Sequence, residues 1–226
     1  MSRRITPARV LLATGVALIV AGTAIVVPAL SSRWRGSQQV SARQGNDESA
    51  LHAWRSGGSD ALAGAAAGAS PAVATPAAGA CAGGSGGYAL VQFTGLPTYG
   101  YAGVAVDGNW TALDDHSMVH WYGSPAPGGA GDVIIAFHRE PDFQHIDLLA
   151  PGETVTVQSA DCTRYVYTVT RRWVLAPGAV TQLVPTPGHE LTLITCTPWW
   201  QDYDRLVWRA DLTAVEGPAP GGTPAP

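Results

Sequence analysis

The chain has 226 residues, 17 acidic against 13 basic side chains, and no lysine, so every basic residue is an arginine. Seven of those arginines lie before Tyr88; from Tyr88 onward the balance is six arginines against fourteen acids, a net charge of −8. A surface of that sign excludes nucleic acid and anionic lipid headgroups as partners recognised by overall field.

Taken in order, the chain opens with Arg3, Arg4 and Arg9 ahead of an uncharged run from Val10 to Ser32. That run exceeds the ~20 apolar residues that cross a bilayer as a helix. The arginines put residues 1–9 in the cytoplasm and the rest of the chain outside, although Arg33 and Arg35 on the far side weaken the bias. A cleaved signal peptide is the alternative, with an apolar core of ~7–15 residues; the longer run favours an uncleaved anchor over 10–32. Residues 33–87 are rich in Gly, Ala, Ser and Pro, as in Gly64-Ala65-Ala66-Ala67-Gly68, and read as a low-complexity extracellular linker. Within it Leu51-His52-Ala53-Trp54 could form a helical turn, and otherwise is an incidental apolar patch.

From residue 88 to 215 the pattern changes to short β-branched and aromatic runs. They are Tyr88–Phe93, Tyr101–Val106, Met118–Tyr122, Val133–Phe137, Thr154–Gln158, Tyr165–Thr170, Arg172–Leu175, Leu191–Thr195 and Leu206–Ala210. Gly/Pro/Asp turns separate them, which predicts an all-β closed barrel or sandwich. The expected helical content is a piece near Asp142–Leu149. Residues 216–226 form a Pro/Gly tail.

Two of these runs carry chemistry. Leu191-Thr192-Leu193-Ile194-Thr195-Cys196 alternates like a half-buried strand and ends on a thiol, and Arg205 opens the next run, Leu206-Val207-Trp208. Adjacent strands would set the thiol beside the guanidinium. The most promising imidazole is His138, at the end of Val133-Ile134-Ile135-Ala136-Phe137. His116 and His120, four apart, would form a metal pair on a helix; their setting reads as a strand without a third ligand, so no metal and no cofactor is expected. Arg209 is the rival cation to Arg205.

This constellation resembles the sortase family of bacterial cysteine transpeptidases. Thr192-Leu193-Ile194-Thr195-Cys196 is similar to the TLxTC signature, with Arg205 as the downstream arginine and His138 as the upstream histidine. Ile146–Val157 and Tyr165–Val169 are similar to the intervening family text. The likeness runs from about Tyr88 to Leu212 and is nearest to class E, with class D the runner-up. Phe137 stands where many sortases have Gly, and Thr197 where one large subgroup tends to have His.

The resemblance implies an eight-stranded sortase-like barrel with one or two short helices, behind a transmembrane helix and a disordered linker. It implies that Cys196 cleaves a C-terminal LAxTG- or LPxTG-type sorting signal between Thr and Gly through a thioacyl enzyme. His138 would exchange the protons, Arg205 would stabilise the oxyanion or grip the substrate, and a cell-wall amine would release the product. Implied partners are secreted proteins bearing the signal and the wall peptide that accepts them, with the catalytic domain on the outer face of the membrane. Thr195, Thr197, Trp199 and Trp200 become candidates for contacting substrate. Once Cys196 is assigned to the signature, Cys81 and Cys162 are left to pair in an oxidising compartment, or Cys81 is a free thiol. Without lysine the protein offers its own thioacyl intermediate no side-chain amine, which favours wall anchoring over pilus building. Two other readings stay open: a thiol hydrolase without transfer, and a non-catalytic tethered binding domain in which Cys196 is structural.

Overall fold

The computed structural model describes residues 37–57, 81–82, 85–182, 186–199 and 203–217. The expected membrane span over 10–32 lies outside them, as does all but the first residues of the tail. Among the described residues no helix is long and apolar enough to cross a membrane. Two compact units divide the chain, Met1–Ala42 and Arg43–Pro226, and the barrel belongs to the second.

Eight strands close on themselves: β1 (Ala89–Gln92), β2 (Ala102–Gly108), β3 (Met118–Trp121), β4 (Gly131–Phe137), β5 (Thr154–Ser159), β6 (Arg164–Leu175), β7 (His189–Thr197) and β8 (Asp204–Glu216). Their order round the barrel is β1-β2-β3-β4-β7-β8-β6-β5, with β5 paired back to β1. Two pairs are parallel, β2 with β3 and β4 with β7. The nine runs expected from sequence condense to eight because Tyr165–Thr170 and Arg172–Leu175 are one long strand, with a register shift between Val169 and Arg171 against β8.

Alternation decides which side chains fill the barrel. Val133, Ile135 and Phe137 of β4, Leu191 and Leu193 of β7, and Leu206, Trp208 and Ala210 of β8 all belong to the buried core. Phe137, in the place of a family glycine, is a core residue here: its ring packs on Phe93 and Phe143 and stacks on Trp208. The Trp208 indole N–H donates to the Leu149 carbonyl at 2.9 Å, tying the β4–β5 connection to the barrel.

The helices differ from expectation. Near Asp142–Leu149 only a 3-10 turn forms, Ile146–Leu148. Between β2 and β3 a six-residue helix, α2 (Trp110–Asp115), is capped by Asn109, whose side chain accepts from the Thr111 N–H at 2.9 Å. It is too short to show a periodicity in the sequence.

The larger correction concerns the linker. Residues 37–57 form a helix, α1, where a disordered linker was expected. Arg43, Asp47, Leu51 and Trp54 recur at the three- and four-residue spacing of one helix face. Because two of them are charged, no apolar stripe is visible. Trp54 is 1% exposed and its indole N–H donates to Gln158 at 3.0 Å. Beneath it lie Cys81, Ala82, Leu90 and Val104, with Cys162 at the edge. Cys81 is joined to Cys162 by a disulfide, and the Cys81 N–H bonds the Ala160 carbonyl. The domain therefore begins within α1, at Arg43, rather than at residue 88, because burying one tryptophan and closing one disulfide offsets the entropy that composition alone assigns to this stretch. At the other end β8 runs through Glu216, which pairs with Arg164.

Candidate active site

The alternation that sends Leu191 and Leu193 inward sends Thr192, Ile194 and Cys196 to the outer face of the barrel. The same parity on β8 turns Arg205, Val207 and Arg209 outward, and on β4 Ile134 and Ala136. Cys196 and Arg205 are direct partners across the antiparallel β7/β8 pair. In the parallel β4/β7 pair Ala136 stands beside Ile194. His138 and Cys196 each lie two residues farther along, so the register carried forward sets them side by side. Neighbouring strands are about 4.8 Å apart, so the three side chains form one row across three adjacent strands. They line a cleft of about 190 Å³, whose apolar wall is Leu113, Ala136 and Ile194, with Trp110 at the rim. Cys196 is the one cysteine of the three outside the disulfide and is half-buried.

His138 is held from two sides. Its backbone N–H donates to the Ser117 carbonyl at 2.8 Å. Its ring Nε2 lies 2.7 Å from the carbonyl of Leu113 on α2. A carbonyl only accepts, so Nε2 carries a hydrogen and Nδ1 is the nitrogen that takes up and releases a proton. Burial pushes the imidazole below its ordinary 6.5 and the Arg43 guanidinium pushes it further, while the Leu113 carbonyl, Asp114 and Asp47 oppose them.

Other residues singled out by sequence fall differently. Thr195 lines the cleft, but its buried hydroxyl donates to the Phe137 carbonyl at 2.7 Å. That bond ties β7 to the strand that carries His138, and the expected substrate contact of Thr195 remains a proposal. Thr197 is half-buried and accepts from Arg139 at 3.2 Å. Trp199 is half-exposed and is not part of the cleft wall, and Trp200 lies outside the described residues. His116 and His120 are not a metal pair: His120 is buried, with Nδ1 2.7 Å from Asp107 and Tyr88 stacked on its ring. Among the described residues no cluster of metal-binding side chains occurs.

Arg209 shares the outer face with Arg205 but lies four residues away, about 13 Å along a strand. There it bonds Asp132 at 3.3 Å and Glu190. Thr192 donates to both oxygens of the same Asp132, at 2.8 and 2.9 Å. That buried group holds the far ends of β4, β7 and β8 together, so the rival cation is engaged elsewhere. The site residues not anticipated are Leu113, which acts through its backbone, and Ser117, Asp47 and Arg43 behind His138. Asn109 as a helix cap was the readable sign of α2; nothing local marked the others.

A closed eight-stranded barrel bearing a thiol, an imidazole and a guanidinium in one surface cleft defines a cysteine acyltransferase or peptidase. The sortase-domain family model matches residues 96–213, more than half of the chain, and the chain belongs to the sortase family of cysteine transpeptidases. No curated protein matches it in sequence. Among solved structures it is similar to a Clostridium perfringens sortase D5 transpeptidase, at 19% identity and TM-score 0.53, over 77% of this chain and 99% of that one. It is also similar to sortase E from Streptomyces avermitilis, at 24% identity and TM-score 0.51, over 61% of this chain and 94% of that one. Sortase A from Corynebacterium diphtheriae matches at 25% identity and TM-score 0.50, over 57% and 62% of the two chains. These likenesses span several classes and establish the barrel.

Proposed function

We propose that the protein is a membrane-anchored sortase with Cys196 as nucleophile, His138 as proton carrier and Arg205 as oxyanion and substrate ligand. The observation that carries this reading is the row of these three side chains across β4, β7 and β8 in one cleft. The substrate is a secreted protein with a C-terminal LAxTG- or LPxTG-type signal, and class E, ahead of class D, is the proposed type. The uncharged run over 10–32 is the anchor and sets the barrel on the outer face of the membrane.

In the first half-reaction the Cys196 thiolate attacks the carbonyl of the signal's threonine. The Sγ–C bond forms as negative charge collects on the oxygen, and Arg205 stabilises that charge with planar, permanently charged donors. When the Thr–Gly C–N bond breaks, protonated His138 gives its Nδ1 proton to the departing amine. In the second half, a cell-wall amine loses a proton to neutral His138 as it forms the new C–N bond, and the thiolate leaves. A free thiol of pKa ≈ 8.5 is mostly protonated near neutrality, so a cationic neighbour is part of the mechanism.

The test is to incubate the full chain with LAxTG and LPxTG peptides, with and without an amine acceptor, and to identify products by mass. A new amide joining peptide to amine, absent in Cys196→Ala, is the expected result. Release of peptide acid alone in the presence of amine would favour the thiol hydrolase. An intact peptide, with Cys196 also inert to alkylation until the chain is denatured, would favour the non-catalytic binding domain.

A further inference from the structure

The mechanism leaves unexplained the helix α1, which is bonded to the residue that holds His138. Asp47 of α1 accepts the Ser117 N–H, at 3.1 and 3.3 Å to its two oxygens, and the Ser117 hydroxyl as well. Ser117 is buried, and its carbonyl in turn receives the His138 N–H. A helix that composition assigns to a tether is thus hydrogen-bonded to the residue that holds the histidine's backbone. Farther along α1, Gln44 donates to Asp142 at 2.9 Å and Trp54 is seated over the disulfide, so α1 is fixed at both ends of its contact with the barrel.

Arg43 is one turn before Asp47, on the same helix face. Because Asp47 on that face bonds Ser117, which holds His138, the face carries the Arg43 charge toward the imidazole, and among the described residues the buried Arg43 Nε has no hydrogen-bond partner. A partly desolvated guanidinium exerts a stronger field than one in water. The charged and titratable groups facing His138 are Arg43 and Asp47 from α1, Asp114 from α2, Cys196 from β7 and Arg205 from β8. Asp47 is engaged with Ser117, and Arg43 is the one α1 group that opposes a proton on the ring.

We propose that α1 is a working part of the reaction centre and that Arg43 is a positioning residue which biases His138 toward its neutral, proton-accepting form. This rests on the reading of His138 as the proton carrier. Its consequence concerns the nucleophile. With His138 held neutral at rest, its Nδ1 takes the Cys196 thiol proton as the thiolate forms and attacks, so the ring is protonated when the amine departs and neutral again for the incoming amine, and Arg205, the register partner of Cys196, is the counter-ion of that thiolate. Undocking α1 would transfer the counter-ion role to His138.

The experiment is an NMR titration of the imidazole in the full chain, with the His138 signal assigned by its loss in His138→Gln. In Arg43→Gln the midpoint moves to higher pH, and in Arg43→Lys, which keeps the charge, it stays near the wild-type value. Trp54→Ala, which frees α1 without touching Arg43, moves it in the same direction as Arg43→Gln. The pH profile of Cys196 alkylation shifts in parallel. An unchanged midpoint in Arg43→Gln, with the near-UV signature of seated Trp54 retained, overturns the proposal. A shift in Arg43→Gln without one in Trp54→Ala overturns the part assigned to α1. The titration uses no substrate, so failure of the chain to transfer peptides would remove the transpeptidase reading and leave this result standing.

Discussion

Cys196 and Arg205 are paired residues on neighbouring antiparallel strands, both turned to the outer face of the barrel. A paired position places their Cβ atoms about 4.5–5.5 Å apart, and the barrel fixes that separation before any substrate arrives. In the proposed mechanism an oxyanion formed at Cys196 would develop next to a charge that need not reorganise.

Removing Arg205 should accordingly affect the chemical step more than binding. Arg205→Ala is expected to lower kcat by about 10²- to 10³-fold, the usual loss of a preorganised oxyanion donor. Arg205→Lys should recover only part of it, because an ammonium lacks the planar fork. Steady-state cleavage of a sorting-signal peptide checks both, and a Lys variant with wild-type kcat would assign Arg205 a simple charge role.

His138 makes stability depend on pH. Its folded value lies below the ordinary 6.5, burial being the main cause and Arg43 the next. Between the folded value and 6.5 the unfolded chain binds more protons than the fold, so stability rises with pH across that window. The contribution is fully present above 6.5 and is lost as pH falls toward the folded value. Thermal melts at pH 7.5 and 5 should show a larger drop for wild type than for His138→Gln; equal drops would count against it.

The seat of α1 should be as important to stability as a core position. Trp54→Ala removes a fully buried indole and its bond to Gln158, and is expected to cost about 3–5 kcal/mol. The disulfide closes a loop with a sequence separation of 81, for which chain entropy gives on the order of 4 kcal/mol. Both groups share one cluster, so the Cys81→Ser/Cys162→Ser pair combined with Trp54→Ala should destabilise by less than the sum. Denaturant unfolding of the four proteins measures the coupling, and strict additivity would mean that the disulfide does not support the Trp54 seat.

At the opposite end of the same strands, Asp132 and Arg209 form a buried pair, the Asp132 side chain 1% exposed and that of Arg209 10%. Burial holds the Asp132 carboxyl above its ordinary value, with Thr192 and Arg209 pulling it back. Asp132→Ala leaves Arg209 with Glu190 as its remaining partner and should destabilise the fold by about 3–5 kcal/mol. Replacing Asp132 and Arg209 together by Leu should cost much less. Comparing the two variants by denaturant unfolding decides whether the pair contributes net stability or only becomes costly once broken.

Much of this protein could be read from local pattern. Alternation located the strands, and the run ending at Cys196 followed by one opening at Arg205 already implied a thiol and a guanidinium on neighbouring strands. Periodicity of two is a property of adjacent residues, so it survives in the sequence. The extra helices were not legible for opposite reasons. α2 is too short to show a period, and it acts on His138 through the Leu113 backbone carbonyl, which no residue type encodes. α1 has a period, but its barrel-facing positions include Arg43 and Asp47, and Ser117, the partner of Asp47, lies far along the chain.

The sequence by itself determined an all-β domain, its outward thiol and guanidinium, and an uncharged segment ahead of it long enough to span a bilayer. Tertiary structure alone decided which imidazole joins them, because His138 reaches Cys196 only through the parallel β4/β7 pairing. It also decided that Arg209 is engaged by Asp132 and Glu190, and that Trp54 belongs to the domain. Those outcomes depend on burial and on partners distant in sequence, and the energy of a buried charge or indole is set by what closes over it.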